Sequence, residues 1–298
     1  MYLPAITLGY AVPVGDFDSS VHSIFHAALN LRPLHGENLL TLVRSDEPEL
    51  PQGIRLDTPV GFSFENFQIG ERAICRQGIL SFEKSGLAVQ LRGARRWECA
   101  LSGLEIDTGI PAVSAAWSLV WEALNQRQRR LHAEIIADDL LAEDKRISSA
   151  VLFKAGQAMR GLMNSTRHFD LAGTAAVEAL IGLGSGLTPT GDDLLAGYMA
   201  GLWCTARRQK DRTHFVNEMG KKIIGLSVRT NDISRTYLFH AAHGQVSSRL
   251  TALAERISRA AEPDRLLETA EQAMRTGSTS GMDTVTGLLL GLSAWSTR

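Results

Sequence analysis

The sequence predicts an α+β protein: a β-rich N-terminal part, residues 1–110, forming a small barrel or sandwich, then a larger, mostly helical part, residues 111–298. Three observations lead there. Short runs of alternating apolar residues, punctuated by Gly, Asn and Pro, fill the first hundred positions. From Pro111 onward apolar residues recur at helical spacing instead. The helical part also carries one hydroxyl- and glycine-rich turn twice. A chain of 298 residues, 44% of them hydrophobic, is long enough to bury two cores.

In the first part, "NLLTLVRSD" (38–46), "GFSFENFQI" (61–69), "RAICRQGILSF" (72–82) and "LAVQLRG" (87–93) read as strands. "VHSIFHAALNL" (21–31) is ambiguous, because Val21, Ile24, Phe25 and Ala28 also fit one helical face. In the second part, "AVSAAWSLVWEALNQRQRR" (112–130) has helical periodicity and ends in cations, which complement a helix C-terminus. Further helices are expected at roughly 132–142, 146–163, 170–181, 192–208, 213–227, 232–243, 246–261, 264–275 and 282–295. Pro263 stands in a favoured first-turn position.

Charge excludes some functions. Lys+Arg is 31 and Asp+Glu is 32, so the net charge is −1. That balance attracts neither nucleic acid nor an anionic membrane. Arg127–Arg130 is the tightest basic cluster and reads as a helix end. Cys75, Cys99 and Cys204 form no CxxC pair, which points to a reduced, cytoplasmic protein. The apolar N-terminus lacks a basic n-region, so it does not read as a signal peptide. No apolar run approaches a membrane span.

The chemistry concentrates in "LTPTGDDLLAGYMAGL" (187–202), which aligns without a gap on "GSTSGMDTVTGLLLGL" (277–292). Thr188 falls on Ser278, Thr190 on Ser280, Gly191 on Gly281 and Asp193 on Asp283. Gly197 falls on Gly287 and Gly201 on Gly291. Each unit is a hydroxyl turn, a glycine, an acid in the first helical turn and two glycines four apart. Gly191 and Gly281 allow positive φ or close backbone approach. Thr190 and Ser280 are suited to cap the helices that follow. Gly197/Gly201 and Gly287/Gly291 each lie on one helical face, so the two helices can cross closely. Both turns would then meet at one end and form a pseudo-symmetric cradle of N–H groups and hydroxyls for an anionic or polar ligand. Two capping turns with dipole-stabilising acids would leave the same pattern. Asp193, repeated as Asp283, is the better candidate for chemistry. Its neighbour Asp192 points about 100° away on a helix and is suited to help cap.

Known nucleotide loops do not match. Asp192 follows Gly191 where a Walker A motif needs lysine, and Leu187 breaks a GxGxxG in "GLGSGL". No GxSxG nucleophile motif is present. "SVRTNDISRTYL" (227–238) resembles a third helix start. In it Thr230, Asn231 or Asp232 can cap, Ser234 lies within the first turn, and Arg229 can hold a carboxylate or phosphate as a fork, or simply be solvated. His240 and His243, three apart, lack a carboxylate to complete a zinc motif. "MNSTRHFD" (163–170) reads as a helix–helix connection.

"GLGSGLTPTGDDLLAG" (182–197), "RTNDIS" (229–234) and "GSTSGMDTVTG" (277–287) resemble the AllH-like family, long labelled a domain of unknown function. One member is a subunit of bacterial oxamate carbamoyltransferase in allantoin breakdown. The resemblance covers about residues 150–295, and the N-terminal part matches only in character. Where the family often has a histidine before its Ser-Ser-Gly-like turn, this chain has Gly277-Ser278-Thr279, so no histidine role is carried over. The resemblance implies carbamoyl transfer: oxalurate plus phosphate giving oxamate plus carbamoyl phosphate, with other protein subunits as partners. On this reading Asp193 and Asp283 are the catalytic acids. Gly186, Thr188, Thr190, Gly191, Arg229, Asn231, Ser278, Ser280 and Gly281 bind a small anionic substrate. No metal site is expected, although Mg2+ is the cofactor the aspartates would suit. A metabolite-binding or scaffold subunit, and a metal-dependent hydrolase using the aspartates, are the alternatives.

Overall fold

The computed structural model describes residues 1–99, 101–142, 149–171, 174–206 and 209–295. It divides into two compact units between residues 99 and 100. The architecture is α+β, with a strand barrel first and helices after it.

The strands are β1 (Tyr2–Gly9), β2 (Phe17–Ile24), β3 (Ala28–Pro33), β4 (Leu40–Val43), β5 (Gly53–Leu56), β6 (Arg72–Arg76), β7 (Ile79–Phe82), β8 (Ala88–Gln90) and β9 (Arg95–Trp97). Eight of them close a ring in the order β5-β4-β3-β2-β6-β7-β8-β1, completed by β1 pairing β5. β9 prolongs the line of β8: Tyr2–Pro4 of β1 pair with β8, and Thr7–Gly9 pair with β9, both parallel. Closure leaves no long free edge for another chain to pair with. Alternate residues point inward, so Leu29, Leu31, Leu42, Ile54, Leu80 and Val89 fill the interior.

Several expectations for this unit change. Residues 21–31 are the β2–β3 hairpin, with no helix. "RAICRQGILSF" is two strands, turned by Gln77 and Gly78, both at positive φ (51° and 77°), as a two-residue hairpin requires. "GFSFENFQI" is a series of turns instead of a strand. Its aromatic alternation serves burial: Phe64 is fully buried and packs edge-on against Phe62, with Phe67 beside it. β1 and β5 are strands that alternation in the sequence did not single out.

The helical unit contains α1 (Pro111–Arg130), α2 (Ala137–Leu141), α3 (Ala150–Arg167), α4 (Thr174–Leu180), α5 (Thr190–Thr205), α6 (Lys210–Leu226), α7 (Asp232–Ala242), α8 (Ser248–Ser258), α9 (Pro263–Met274) and α10 (Ser280–Ser293). Of the helix expected at 132–142, only Ala137–Leu141 is helical. The helix start expected at 146, residues 172–173 of the helix expected at 170–181 and the helix end expected at 208 lie outside the described residues. Residues 163–167 of the expected connection continue α3 instead. There the Thr166 hydroxyl lies 2.7 Å from the Tyr198 hydroxyl and satisfies both buried groups.

α5 and α10 form the centre. Residues 190–202 of α5 are all buried, as are 285–292 of α10. A helix apolar on every side belongs in the middle of a bundle. Amphipathic α1 packs onto α10 and anchors there by Trp117 Nε1 donating to the Leu289 carbonyl at 2.9 Å. Among the described residues, no helix is long and apolar enough to cross a membrane.

The α5–α10 contact is a backbone contact, and it is two-fold in the repeat. A Cβ on Gly197 would lie 1.9 Å from the Thr284 carbonyl oxygen and 2.8 Å from Leu288 N. A Cβ on Gly287 would lie 2.1 Å from the Leu194 oxygen and 2.8 Å from Tyr198 N. These partners are themselves repeat mates: 194 matches 284 and 198 matches 288. Gly201 and Gly291 continue the seam, each closed to a Cβ by the other helix's backbone. The repeat also includes the preceding helices. Gly191 sits on the carboxyl end of α4, with a Cβ position 2.0 Å from Leu180 O, and Gly281 sits likewise on α9, 2.6 Å from Ala273 O.

Candidate functional site at the crossing of two helix N-termini

The glycine seam carries both hydroxyl turns to the same end of the central pair. Thr188 Oγ1, from the α4–α5 turn, lies 2.5 Å from Ser280 Oγ at the start of α10. Asp193 hydrogen-bonds toward Ser280 and Thr188, and Asp283 toward Thr190. Thr190 and Ser280 are repeat mates, and so are Asp193 and Asp283, so each acid faces the hydroxyl of the other repeat.

This corrects the expected capping role. The N-cap positions are Pro189 and Thr279, and neither helix has a side-chain cap hydrogen bond. Thr190 and Ser280 are the first helical residues, and their hydroxyls turn across the seam. The physical reason is tertiary: the other helix places a buried carboxyl within reach, and a buried polar group left unpaired is costly.

The two acids are buried, with Asp193 8% and Asp283 2% exposed. Burial, and after it the Asp283 carboxylate, push the Asp193 carboxyl well above the usual carboxylate range, while the Ser280 and Thr188 hydroxyls pull it back. Burial pushes the Asp283 carboxyl up to about 7, with Thr190 opposing and Glu134 adding to the rise. Asp193 Oδ2 has no hydrogen-bond partner among the described residues. A buried carboxyl oxygen without a partner, at the positive ends of two long helices, leaves a hydrogen-bonding position for a ligand.

Asp192 does something else. Its Oδ1 accepts from Gly182 N at 2.9 Å and its Oδ2 from the Thr230 hydroxyl at 2.6 Å. It therefore ties the α4–α5 turn to the segment that opens α7. That segment brings Arg229, which is half-exposed and 3.6 Å from Glu178. Asn231 caps α7 by accepting from Ile233 N and Ser234 N at 3.0 and 3.1 Å. Its side-chain oxygen is thus engaged with backbone.

The other expected residues fall into two groups. Gly186 is exposed at φ 94° on the α4–α5 turn, and Ser278 is exposed on the shorter α9–α10 turn. Gly191 and Gly281 provide close backbone approach to the helices before them, without positive φ. Glu134 acts on Asp283 without having been singled out, and Thr230, a capping candidate in the sequence, donates to Asp192 instead. Thr230 lay within the "RTNDIS" motif, but nothing local marks Glu134, whose proximity to Asp283 is purely tertiary. His240 is buried and held neutral, its pKa lowered to about 4 by burial. Among the described residues, no three His, Cys, Asp or Glu side chains gather as a metal site. The three cysteines are buried and form no disulfide.

Together these features define a two-unit α+β protein with a duplicated helix–turn–helix and an acid-and-hydroxyl site at the junction of the duplicates. Two models of one family match the chain: "oxamate carbamoyltransferase subunit AllH" over residues 180–292, and "AllH family N-terminal domain" over residues 9–96. The chain belongs to the AllH family. The first match begins at the end of α4 and closes within α10, so it encloses both turns. No curated protein and no solved structure matches.

Proposed function

We propose that this chain is a subunit of a carbamoyltransferase that interconverts oxalurate plus phosphate with oxamate plus carbamoyl phosphate, in allantoin catabolism in the cytoplasm. The substrate is held where α5 and α10 meet. The observation that carries this reading is the pair of buried acids, Asp193 and Asp283, facing hydroxyls of the opposite repeat with one carboxyl oxygen unpartnered. The family description supplies the reaction class and the requirement for other subunits.

The chemistry needs what these groups provide. A phosphate oxygen attacks the carbamoyl carbon of oxalurate, and the bond from that carbon to the oxamate nitrogen breaks. The proton that phosphate loses balances the one that the departing nitrogen gains. A carboxyl near 7 is matched to accepting a proton at neutral pH, and a neutral carboxyl to donating one. Asp283 suits the first role and Asp193 the second. Thr188, Thr190, Ser278 and Ser280 supply hydroxyl donors for the oxyanion that develops at the carbamoyl carbon, aided by the helix N-termini. Arg229, on the segment that Asp192 ties to the α4–α5 turn, is the residue we assign to hold the oxamate carboxylate.

Calorimetry with oxamate, phosphate and Mg2+ tests binding, and carbamoyl phosphate production with and without the partner subunits tests turnover. Binding of oxamate by the chain, with turnover only in the assembled enzyme, is the expected result. Oxamate binding without turnover by the assembled enzyme would make this a metabolite-binding subunit, and activity strictly dependent on Mg2+ held by the aspartates would favour the hydrolase alternative.

A further inference from the structure

Among the described residues of the helical unit, Asp193 is the buried acid with a carboxyl oxygen left without a partner. Asp192 has both oxygens occupied. Asp193 keeps Oδ2 buried and without a partner. The charged groups acting on it are acids from both elements: Asp283 of α10 and Asp192 of its own helix. Glu134, from the α1–α2 connection, acts in turn on Asp283. Among the described residues no cation pairs with Asp193 or Asp283. Beside this carboxyl lie the Thr188 and Ser280 hydroxyls, hydrogen-bonded to each other, and it sits in the first turn of α5, at the positive end of that helix. An ionised carboxylate there would cancel that positive end and repel an incoming anion. A neutral carboxyl would itself be a donor.

We propose that the site takes a small oxyanion through Asp193 Oδ2, with the neutral carboxyl donating the hydrogen bond, so that anion and proton bind together. This rests on the carbamoyltransferase reading for the location of the substrate and adds its mode of recognition. The Asp193 carboxyl, raised by burial and then by the Asp283 carboxylate, agrees with it. The ligand class is an oxygen anion, either planar, as in a carboxylate such as oxamate, or tetrahedral, as in phosphate. Alkaline pH should release it from the site.

The test measures the Kd of oxamate and of sulfate against pH. Neither probe changes charge across the neutral and alkaline range. Asp283→Asn is used first, to leave Asp193 as the titrating acid of the pair. Its Kd should be flat at low pH and rise about tenfold per pH unit once Asp193 ionises. In the Asp193→Asn/Asp283→Asn double variant, the amide donates in place of the carboxyl, so binding should persist with no such rise. A flat Kd in the single variant, a rise retained in the double variant, or no binding of either probe at any pH would overturn the proposal. Preference for oxamate over sulfate assigns the site to a planar carboxylate, and the reverse to a phosphate group.

A second measurement on the unmodified chain guards against misfolded variants. Calorimetry in buffers of different ionisation heat should show protons taken up with the anion as pH rises, and proton release would contradict the proposal. Failure of carbamoyl transfer in the assembled enzyme, with this proton-linked binding intact, would remove the reaction and leave the recognition mode. Turnover with proton-independent binding would do the opposite.

Discussion

At Asp192 both carboxylate oxygens are engaged, one by Gly182 N and one by Thr230, whereas its neighbour Asp193 keeps one oxygen without a partner. The two positions should therefore respond differently to the same substitution. Asp192→Asn places an NH2 where an acceptor is needed and should cost about 1–3 kcal/mol of stability, read as a lower denaturation midpoint. Asp193→Asn keeps one side-chain oxygen for the Ser280 and Thr188 hydroxyls and removes an acid that burial raises, so it should hold or raise the midpoint at neutral pH. Asp283 adds a pH signature. Its folded carboxyl is raised to about 7, above an unfolded value of about 4. The folded state thus binds that proton more tightly, and its contribution to stability is full below about pH 4 and lost as pH rises to about 7. Compared with the parent, Asp283→Asn should lose less melting temperature over that window, and parallel curves would contradict the assignment. Local sequence logic placed Thr190 and Ser280 as caps because hydroxyls at helix starts usually are. Their partners lie on another helix ninety residues away, and single-helix reasoning has no view of that.

At the scale of elements, the glycine seam was the most legible feature. Spacing of four within each helix, repeated in register, leaves a smooth stripe on both, and the structure uses those glycines to bring the backbones together. Gly197→Ala and Gly287→Ala should each destabilise by about 3 kcal/mol or more, since the added carbon meets backbone that cannot yield. Helix propensity alone would favour alanine by about 1 kcal/mol. Gly225→Ala is the comparison: it lies in α6 with nothing near a Cβ, so it should stabilise by about 0.5–1 kcal/mol. Thermal denaturation of the three variants separates seam from propensity, and equal effects would deny a close crossing. Strands were less legible than helices. β5 is four residues long, and "GFSFENFQI" alternates like a strand although its phenylalanines bury from turns. Alternation reports burial on one side, and a run of turns packed onto the barrel core produces it as well.

At the scale of the whole molecule, each unit has its own core and its own match to one family. The barrel is closed and internally packed, so a fragment of residues 1–99 should fold alone, with β-type circular dichroism and one cooperative melt; a disordered fragment would show that its stability comes from elsewhere. The composition switch that separates strands from helices is visible in the sequence because the two periodicities differ. The acids' placement follows from the duplication, which brings positions 193 and 283 to one end only once α5 and α10 cross. The proposed place of carbamoyl transfer is that junction. The direct measurement is carbamoyl phosphate formation from oxalurate and phosphate by the assembled enzyme carrying Asp193→Asn in this chain. The rate should be lower by about a hundredfold or more, with subunit assembly and melting temperature retained. Full activity in a folded, assembled Asp193→Asn enzyme would contradict it.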